Sequence, residues 1–366
     1  MGIINKTGLY RRQKGLFFLQ LIWVFMMKSI YSTTINELEK FLEENSEKKF
    51  HATQIIDWLY VKRVNSFDKM TNLSKELISK LSEHYYFDTI EIIKKQEDKD
   101  VSKFLFKLSD NNLIEAVLMN HDYGNSLCVS SQVGCNMGCK FCESGRLKKI
   151  RNLEASEMVL QILMIEKEIE KRISHVVVMG IGEPFDNFDN LVKFIEIINY
   201  QKGINLGSRH ITVSTCGVIP KIYEFTKLPY QVNLAISLHA PNNKIRNEIM
   251  PINKVYNLEE LMKAIKDYLK VSTRRVTFEY IMLKDINDSI DCARELANLI
   301  RGMNAYVNLI PYNETENISF KRTEKKKIME FYDILKKEKI NVTIRREFGG
   351  NIDAACGQLR AKGEVR

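Results

Sequence analysis

Three cysteines set the chemistry open to this chain. Cys135, Cys139 and Cys142 stand in the run Cys135-Asn-Met-Gly-Cys139-Lys-Phe-Cys142. Spacers of three and then two residues bring three thiols onto one short loop. Three thiolates so placed can hold three irons of a [4Fe–4S] cubane and leave the fourth iron open to a small chelating molecule. Gly134 and Gly138 allow the tight backbone that such a loop needs. The competing reading is structural zinc, which takes four ligands, as a rule from two separated pairs. Cys128 could supply a fourth thiol, but the second pair is missing.

Other residues fit for chemistry recur along the chain. The run Met179-Gly-Ile-Gly-Glu-Pro184 contains Gly182, where a backbone can approach a ligand closely, and Glu183, whose carboxylate can accept from an ammonium group. Ser214, then Ser237-Leu238-His239, then Pro311-Tyr312-Asn313 offer small polar groups suited to ribose and carboxylate contacts. Two further thiols, Cys128 and Cys356, lie outside the triplet; by residue type alone each is a small buried side chain. Cys216 and Cys292 are read as structural.

The elements that must position these residues can be read from periodicity. Residues 33–85 give three short amphipathic helices, the first capped by Thr34 with Leu38, Phe41 and Leu42 on its apolar side. Residues 88–120 change period and turn at Asp110-Asn111-Asn112, as a small antiparallel hairpin does. From residue 126 onward, candidate strands at 126–131, 175–180, 210–214, 232–238, 276–282, 306–310 and 341–345 alternate with helical stretches at 154–171, 188–200, 257–269, 289–301 and 323–338. Such alternation implies a parallel sheet with right-handed crossovers. About six strand–helix units are too few for an eightfold barrel, so the expected fold is α/β, a partial (β/α)6-type barrel with its ligand site at the C-terminal strand ends. The expected domains are an N-terminal extension at 1–27, a helical domain at 28–87, a β-hairpin linker at 88–125, and the partial barrel with its C-terminal cysteine segment at 126–366.

Composition narrows the setting. The chain has 366 residues, 45% hydrophobic and 28% charged, as expected of a globular protein with a real core. A formal net charge of +9 permits a polyanionic partner, most simply nucleic acid. The seven cysteines are odd in number and four of them fall between Cys128 and Cys142, unlike a secreted disulfide framework, so a reducing, cytoplasmic compartment is expected. Residues 1–15 carry Lys6, Arg11, Arg12 and Lys14 and precede an apolar run from Leu16 to Met27. This resembles a signal peptide, but it is short for a membrane span and lacks a small-residue cleavage site. We read 1–27 as an upstream extension, with Met26 or Met27 as candidate starts; a membrane anchor is the alternative.

Assembled in order, these segments resemble one family. CxxxCxxC after the first strand of a partial barrel resembles the radical S-adenosylmethionine enzymes. The blocks CVSSQVGCNMGCKFC, MGIGEP, ITVSTCGVIPKI, NLAISLHAPNNKIRNEIMPINK, VNLIPYN and NVTIRREFGGNIDAACGQL resemble, within them, the dual-specificity 23S rRNA and tRNA adenine-C2 methyltransferases (the RlmN/Cfr family, whose Cfr branch methylates adenine C8). The likeness runs from about residue 30 to about 360.

The resemblance implies a [4Fe–4S] cluster on Cys135, Cys139 and Cys142, with its open iron chelating S-adenosylmethionine. Gly182 and Glu183 would grip the methionyl amine, and Ser214, Ser237, Leu238, His239 and Asn313 would complete the cofactor site. Cys356 would receive a methyl group from one cofactor molecule. A second would be cleaved to the 5′-deoxyadenosyl radical, which takes a hydrogen atom from that methyl group, so two are used per turnover. The methylene radical would add to the adenine carbon, and Cys128 would release the product through a transient disulfide with Cys356. Glu115 matches the general base. The resemblance further implies 23S rRNA and tRNA as substrates, a low-potential donor such as flavodoxin or ferredoxin, a monomer, and no stable membrane partner. The helical domain would bind RNA, with Lys48, Lys49, Lys62 and Arg63 as phosphate contacts, joined by Lys321, Arg322, Lys325, Lys326 and Lys327.

Two departures stand out. Glu143 follows Cys142 where the family has a small residue, and a carboxylate there is expected to lower the cluster potential or disturb cofactor access. Phe348-Gly349 leans towards the C8 branch, whereas Pro184 and Pro311 match the C2 branch, which we favour. The other readings are a C8 methyltransferase and a non-catalytic RNA-binding paralogue.

Overall fold

The computed structural model describes residues 27–345 together with residues 352 and 358. The extension at 1–26 and Cys356 therefore lie outside the described residues. The chain divides into two compact units, one running to Asp88 and including Lys202–Ile204, the other formed by Thr89–Gln201 and the residues from Asn205 onward.

The first unit is built on three short helices, α1 (Ile35–Glu44), α2 (Phe50–Ile56) and α3 (Lys75–His84). Thr34 begins α1 as a capping box: its hydroxyl accepts from the Glu37 N–H at 3.3 Å, and the Glu37 carboxylate accepts from the Thr34 N–H at 3.0 Å. A cap of this kind contributes about 1 kcal/mol. Leu38, Leu42, Ile55, Leu77 and Leu81 are fully buried and form the unit's core. Two of its cations are already paired within it. Lys49 Nζ lies 2.7 Å from Glu43, and Lys62 Nζ lies 3.0 Å from Asp57 and over the Trp58 ring.

The second unit is organised by one ten-stranded sheet whose strand order follows the chain. Its first four strands, β1 (Glu91–Asp98), β2 (Val101–Lys107), β3 (Leu113–His121) and β4 (Gly124–Val129), form an antiparallel meander. The expected hairpin is its β2–β3 step. Asp110 accepts from the Asn112 N–H at 3.0 Å and Asn111 takes a left-handed φ of 66°, which makes the turn. β1 and β4 extend that hairpin on either side.

From β4 the sheet turns parallel through β5 (His175–Val178), β6 (Ile211–Thr215), β7 (Asn233–Ser237), β8 (Val276–Met282), β9 (Ala305–Pro311) and β10 (Val342–Ile344). The crossovers carry α4 (Ala155–Ile169), α5 (Phe188–Asn199), α6 (Ile219–Thr226), α7 (Asn243–Ile249), α8 (Leu258–Val271), α9 (Ile290–Ile300) and α10 (Lys325–Lys337). Six crossovers with β1 and β10 at opposite ends make an open partial barrel, as expected. The short helices α6 and α7 escape the periodicity reading. In α7 the buried face is Arg246 with Ile249, so no apolar stripe marks it.

Register assigns the barrel interior. Paired residues of neighbouring strands share a face. Cys128 pairs with Val177, Ser214 with Ala235, Ser237 with Glu279, Glu279 with Asn308, and Asn308 with Thr343. All of these face inward, while residues of the other parity, such as Leu127, Val176, Val213 and Phe278, are fully buried on the outer face. Among the described residues no helix is long and apolar enough to cross a membrane.

Candidate active site

The loop after β4 carries the three cysteines, and polar side chains hold its entry in place. Ser130 Oγ donates to the Glu115 carbonyl at 2.6 Å and accepts from the Ile181 N–H at 2.9 Å. The Gln161 carboxamide accepts from the Ser130 N–H and donates to the Ser130 carbonyl, at 2.9 and 3.1 Å. Gln132 Oε1 accepts from the Glu183 N–H at 2.9 Å. The residues between Cys128 and Gly134 thus tie the cysteine loop to the glycine-rich loop after β5. Gly134 then takes a φ of +74°, and a Cβ there would lie 2.2 Å from the Lys148 carbonyl oxygen, so only glycine fits.

Cys135, Cys139 and Cys142 all line one cleft at the C-terminal ends of the parallel strands. Gly182, Glu183, Ser214, Ser237 and His239 line it as well. Burial pushes the Cys135 thiol up to about 12 and raises Cys139 well above the usual thiol range. Thiols this reluctant to ionise become thiolates when bound iron supplies the compensating positive charge. Among the described residues no three His, Cys, Asp or Glu side chains converge on a point where one ion could bind. Three thiols on one loop suit separate irons of a cluster, with one iron left open.

Glu183 is buried, and its two carboxylate oxygens accept from the Phe185 N–H at 3.0 Å and the Cys216 N–H at 2.8 Å. Burial raises its pKa, and these bonds oppose the rise. The side chains of Thr215 and Cys216 also hydrogen-bond to this carboxylate. Gly182 holds a φ of +113°, and a Cβ there would sit 2.7 Å from the Gln132 side chain. Ser214 and Ser237 hydroxyls lie 3.4 Å apart.

Arg246 ties the strand ends together from behind. It is 1% exposed and donates to the carbonyls of Cys216 (2.6 Å), Leu238 (3.2 Å) and Ser237 (3.4 Å) and to the Asn253 side chain (2.9 Å). Leu238 is fully buried and is not among the lining residues; its carbonyl is taken up by Arg246. Asn313, half-buried just beyond β9, is not among the lining residues, and neither are Cys128 and Glu115. Cys128 lies deeper on the interior face, in an apolar cluster with Val117, Val177, Met179, Ile181 and Ile352. Glu115 shares that face through the Val117–Cys128 pairing and lies 3.3 Å from Lys103 in a buried ion pair. Cys292 sits in the first turn of α9, its N–H held by the Ser289 hydroxyl at 3.1 Å, as a structural residue would.

Three cleft residues escaped the sequence reading. Cys216, read as structural, lines the cleft. Glu279 is buried, with Asn308 Nδ2 donating to it at 2.9 Å, and Arg345 completes that wall. A carboxylate with inward parity in the apolar run Val276–Met282 is the signal that could have found Glu279.

His239 has a left-handed φ of 56°, packs edge-on against Phe141 at 4.8 Å, and accepts from the Ile281 N–H through Nδ1 at 3.1 Å. Burial pushes its imidazole down to about 3. An unfolded histidine titrates near 6.5, so the unfolded chain binds this proton first. Falling pH between about 6.5 and about 3 therefore favours unfolding through His239. Glu183 and Glu279, both raised by burial, act in the opposite direction, so a difference between variants isolates the histidine. His239→Asn keeps an acceptor and tolerates the backbone. In urea unfolding it should lose about 2 kcal/mol less stability than the parent between about pH 7 and about pH 4.5. Parallel pH curves would show that His239 is not neutral and buried as described.

The comparisons with known proteins agree with this geometry. Residues 129–299 match a family model described as "Radical SAM superfamily", and residues 29–87 match "Ribosomal RNA large subunit methyltransferase N-terminal domain". A Spiroplasma citri protein named "Probable dual-specificity RNA methyltransferase RlmN" is 55% identical over 342 residues, 92% of this chain and 99% of that protein. A Bacillus licheniformis protein of the same name is 55% identical over 340 residues, 91% of this chain and 94% of that protein. The crystal structure of a radical SAM methyltransferase from Sphaerobacter thermophilus matches with a TM-score of 0.86 at 39% identity, covering 92% of this chain and 100% of that one. With a cysteine triplet, a strand-end cleft and near-full-length likeness all in agreement, this chain belongs to the RlmN family of RNA methyltransferases, within the radical S-adenosylmethionine superfamily.

Proposed function

We propose that this chain methylates adenine C2 in 23S rRNA and tRNA by way of an S-methylated Cys356. The observation that carries the reading is the apolar cluster joining Cys128 to Ile352. Ile352 stands four residues before Cys356, and Gln358, two residues after it, is 4% exposed and donates to the Glu314 carbonyl at 3.3 Å. Both anchors flank Cys356 in the sequence, and the first of them packs beside the second thiol.

Bound to Cys135, Cys139 and Cys142, a [4Fe–4S] cluster with S-adenosylmethionine supplies one-electron cleavage of a C–S bond. The protein's part is positional. Glu183 orients the cofactor's ammonium group through the negative charge of its carboxylate, and Ser214 and Ser237 offer hydroxyls to its ribose. Cys356 accepts a methyl group, loses a hydrogen atom from it, and bonds through that carbon to the adenine. Glu115 takes the displaced ring proton, and the adduct gives up its odd electron, which the oxidised cluster would accept. Cys128 then attacks the Cys356 sulfur, so the product leaves as a transient disulfide forms. The helical unit binds RNA. Of the four cations expected to meet phosphate, Lys49 and Lys62 are engaged with acidic neighbours. Exposed pairs of that kind contribute little and yield readily to phosphate. A flavodoxin or ferredoxin supplies electrons, two cofactor molecules are used per turnover, and the protein acts as a monomer.

The test is nucleoside mass spectrometry of 23S rRNA and tRNA after incubation with anaerobically reconstituted protein, S-adenosylmethionine and a low-potential reductant. A new 2-methyladenosine peak is expected in both RNAs. 8-Methyladenosine would reassign the ring carbon, and no methylated adenosine with intact cofactor cleavage would sink the reading.

A further inference from the structure

We infer that Glu143 and Asn317 form a clasp that holds the cysteine loop in register with the segment carrying Cys356, and that Glu143 acts through this hydrogen-bonded contact and not through its charge. The inference rests on the methylation reading only in taking Cys356 as the methyl carrier.

Glu143 directly follows Cys142, yet it does not line the cleft, whereas Ser144 and Gly145 do. Its side chain turns the other way and is 4% exposed. Asn317 Nδ2 donates to both of its carboxylate oxygens, at 3.3 and 3.4 Å. Arg146, three residues on, donates through Nη1 to the Asn317 carbonyl oxygen. Asn317 stands at the tip of a tight turn closed by the Thr315–Ile318 bridge, in the loop between β9 and α10.

That loop is itself well braced. Glu314 accepts from the Arg322 N–H at 3.1 Å and from Lys321 Nζ at 2.8 Å. Tyr312, Ile318 and Phe320 pack in the same apolar cluster as Cys139 and Cys142. Its other contact is the Glu314 carbonyl, which accepts from Gln358. One loop therefore touches the cysteine loop through Asn317 and the Cys356 segment through Glu314. Releasing Asn317 removes a polar tie from the cysteine loop and loosens the anchor of Gln358 at once. A carboxamide at position 143 still accepts from Asn317 Nδ2, whereas alanine does not.

The experiment compares the parent protein with Glu143→Gln, Glu143→Ala and Asn317→Ala, each purified and reconstituted without oxygen. The readouts are the rate of iron loss to a ferrous chelator and the rate of trypsin cleavage beyond Arg345. Glu143→Ala and Asn317→Ala should each lose iron about tenfold faster, the scale of one ordinary hydrogen bond, and be cut faster. Glu143→Gln should stay within about twofold of the parent, since its contact survives. If Glu143→Gln behaves like Glu143→Ala, charge is what matters and the clasp is wrong. If Asn317→Ala matches the parent, the contact carries nothing. Asn317 is an exposed turn residue, so its variant decides the matter even if Glu143→Ala fails to fold. If the parent makes no methylated RNA while these rates follow the expected order, the methylation reading falls and the clasp stands.

Discussion

Cys139→Ala should leave the protein folded but colourless, with iron at background after reconstitution and no 5′-deoxyadenosine formed on adding reductant. A cluster held by three thiolates on one loop has no spare protein ligand, so deleting one removes a corner of the cubane. The fold should tolerate the change, because Cys139 is only partly buried in its apolar cluster and losing one sulfur costs about 1 kcal/mol. Cys216→Ala is the matched control. Cys216 lines the same cleft and is deeply buried; alanine retains the backbone N–H it gives Glu183 and loses only the weaker thiol hydrogen bond. That variant should keep colour and cofactor cleavage. A colourless Cys216→Ala, or a coloured and active Cys139→Ala, would overturn the assignment of the triplet.

Cys356→Ala should separate two activities that the parent couples. Cofactor cleavage should continue, because the cluster loop and Glu183 are untouched. Methylated RNA should fall by roughly a thousandfold or more, the scale seen when a covalent nucleophile is removed. Cys128→Ala should stop one stage later, and a protein–RNA adduct resistant to denaturant should accumulate on a gel. Persistent RNA methylation by Cys356→Ala would remove the carrier thiol from the scheme. An adduct that never appears with Cys128→Ala would remove the resolving role from Cys128.

Much of this architecture is legible in the residues, and the exceptions have physical causes. Thr34 with Glu37 announces its helix because a cap is a local contact between near neighbours. The parallel strands announce themselves as short apolar runs because both faces are covered. α7 is hidden because an arginine occupies its buried face, satisfied by carbonyls of two other strand-end loops that no local pattern contains. Glu279 and Arg345 are hidden for the same reason: only register across three strands brings them to the cleft. The glycines and Glu183 are legible because their constraint is short-range, a turn that only glycine can make followed by one carboxylate. Glu143 looks like a charge beside the cysteines until Asn317, which is 174 residues away in the chain, is seen to receive it.

The depth of the interior has a consequence for any nucleotide that reacts there. On the proposed reading the chemistry involves Cys128, which is buried among Val117, Val177 and Met179, out of reach of a stacked helix. A target base must be swung out of its stack and enter singly, and that extrusion costs a few kcal/mol when the base is paired. Loops and mismatched positions are therefore cheaper to modify than perfect duplex, and selectivity begins with the RNA's own willingness to open.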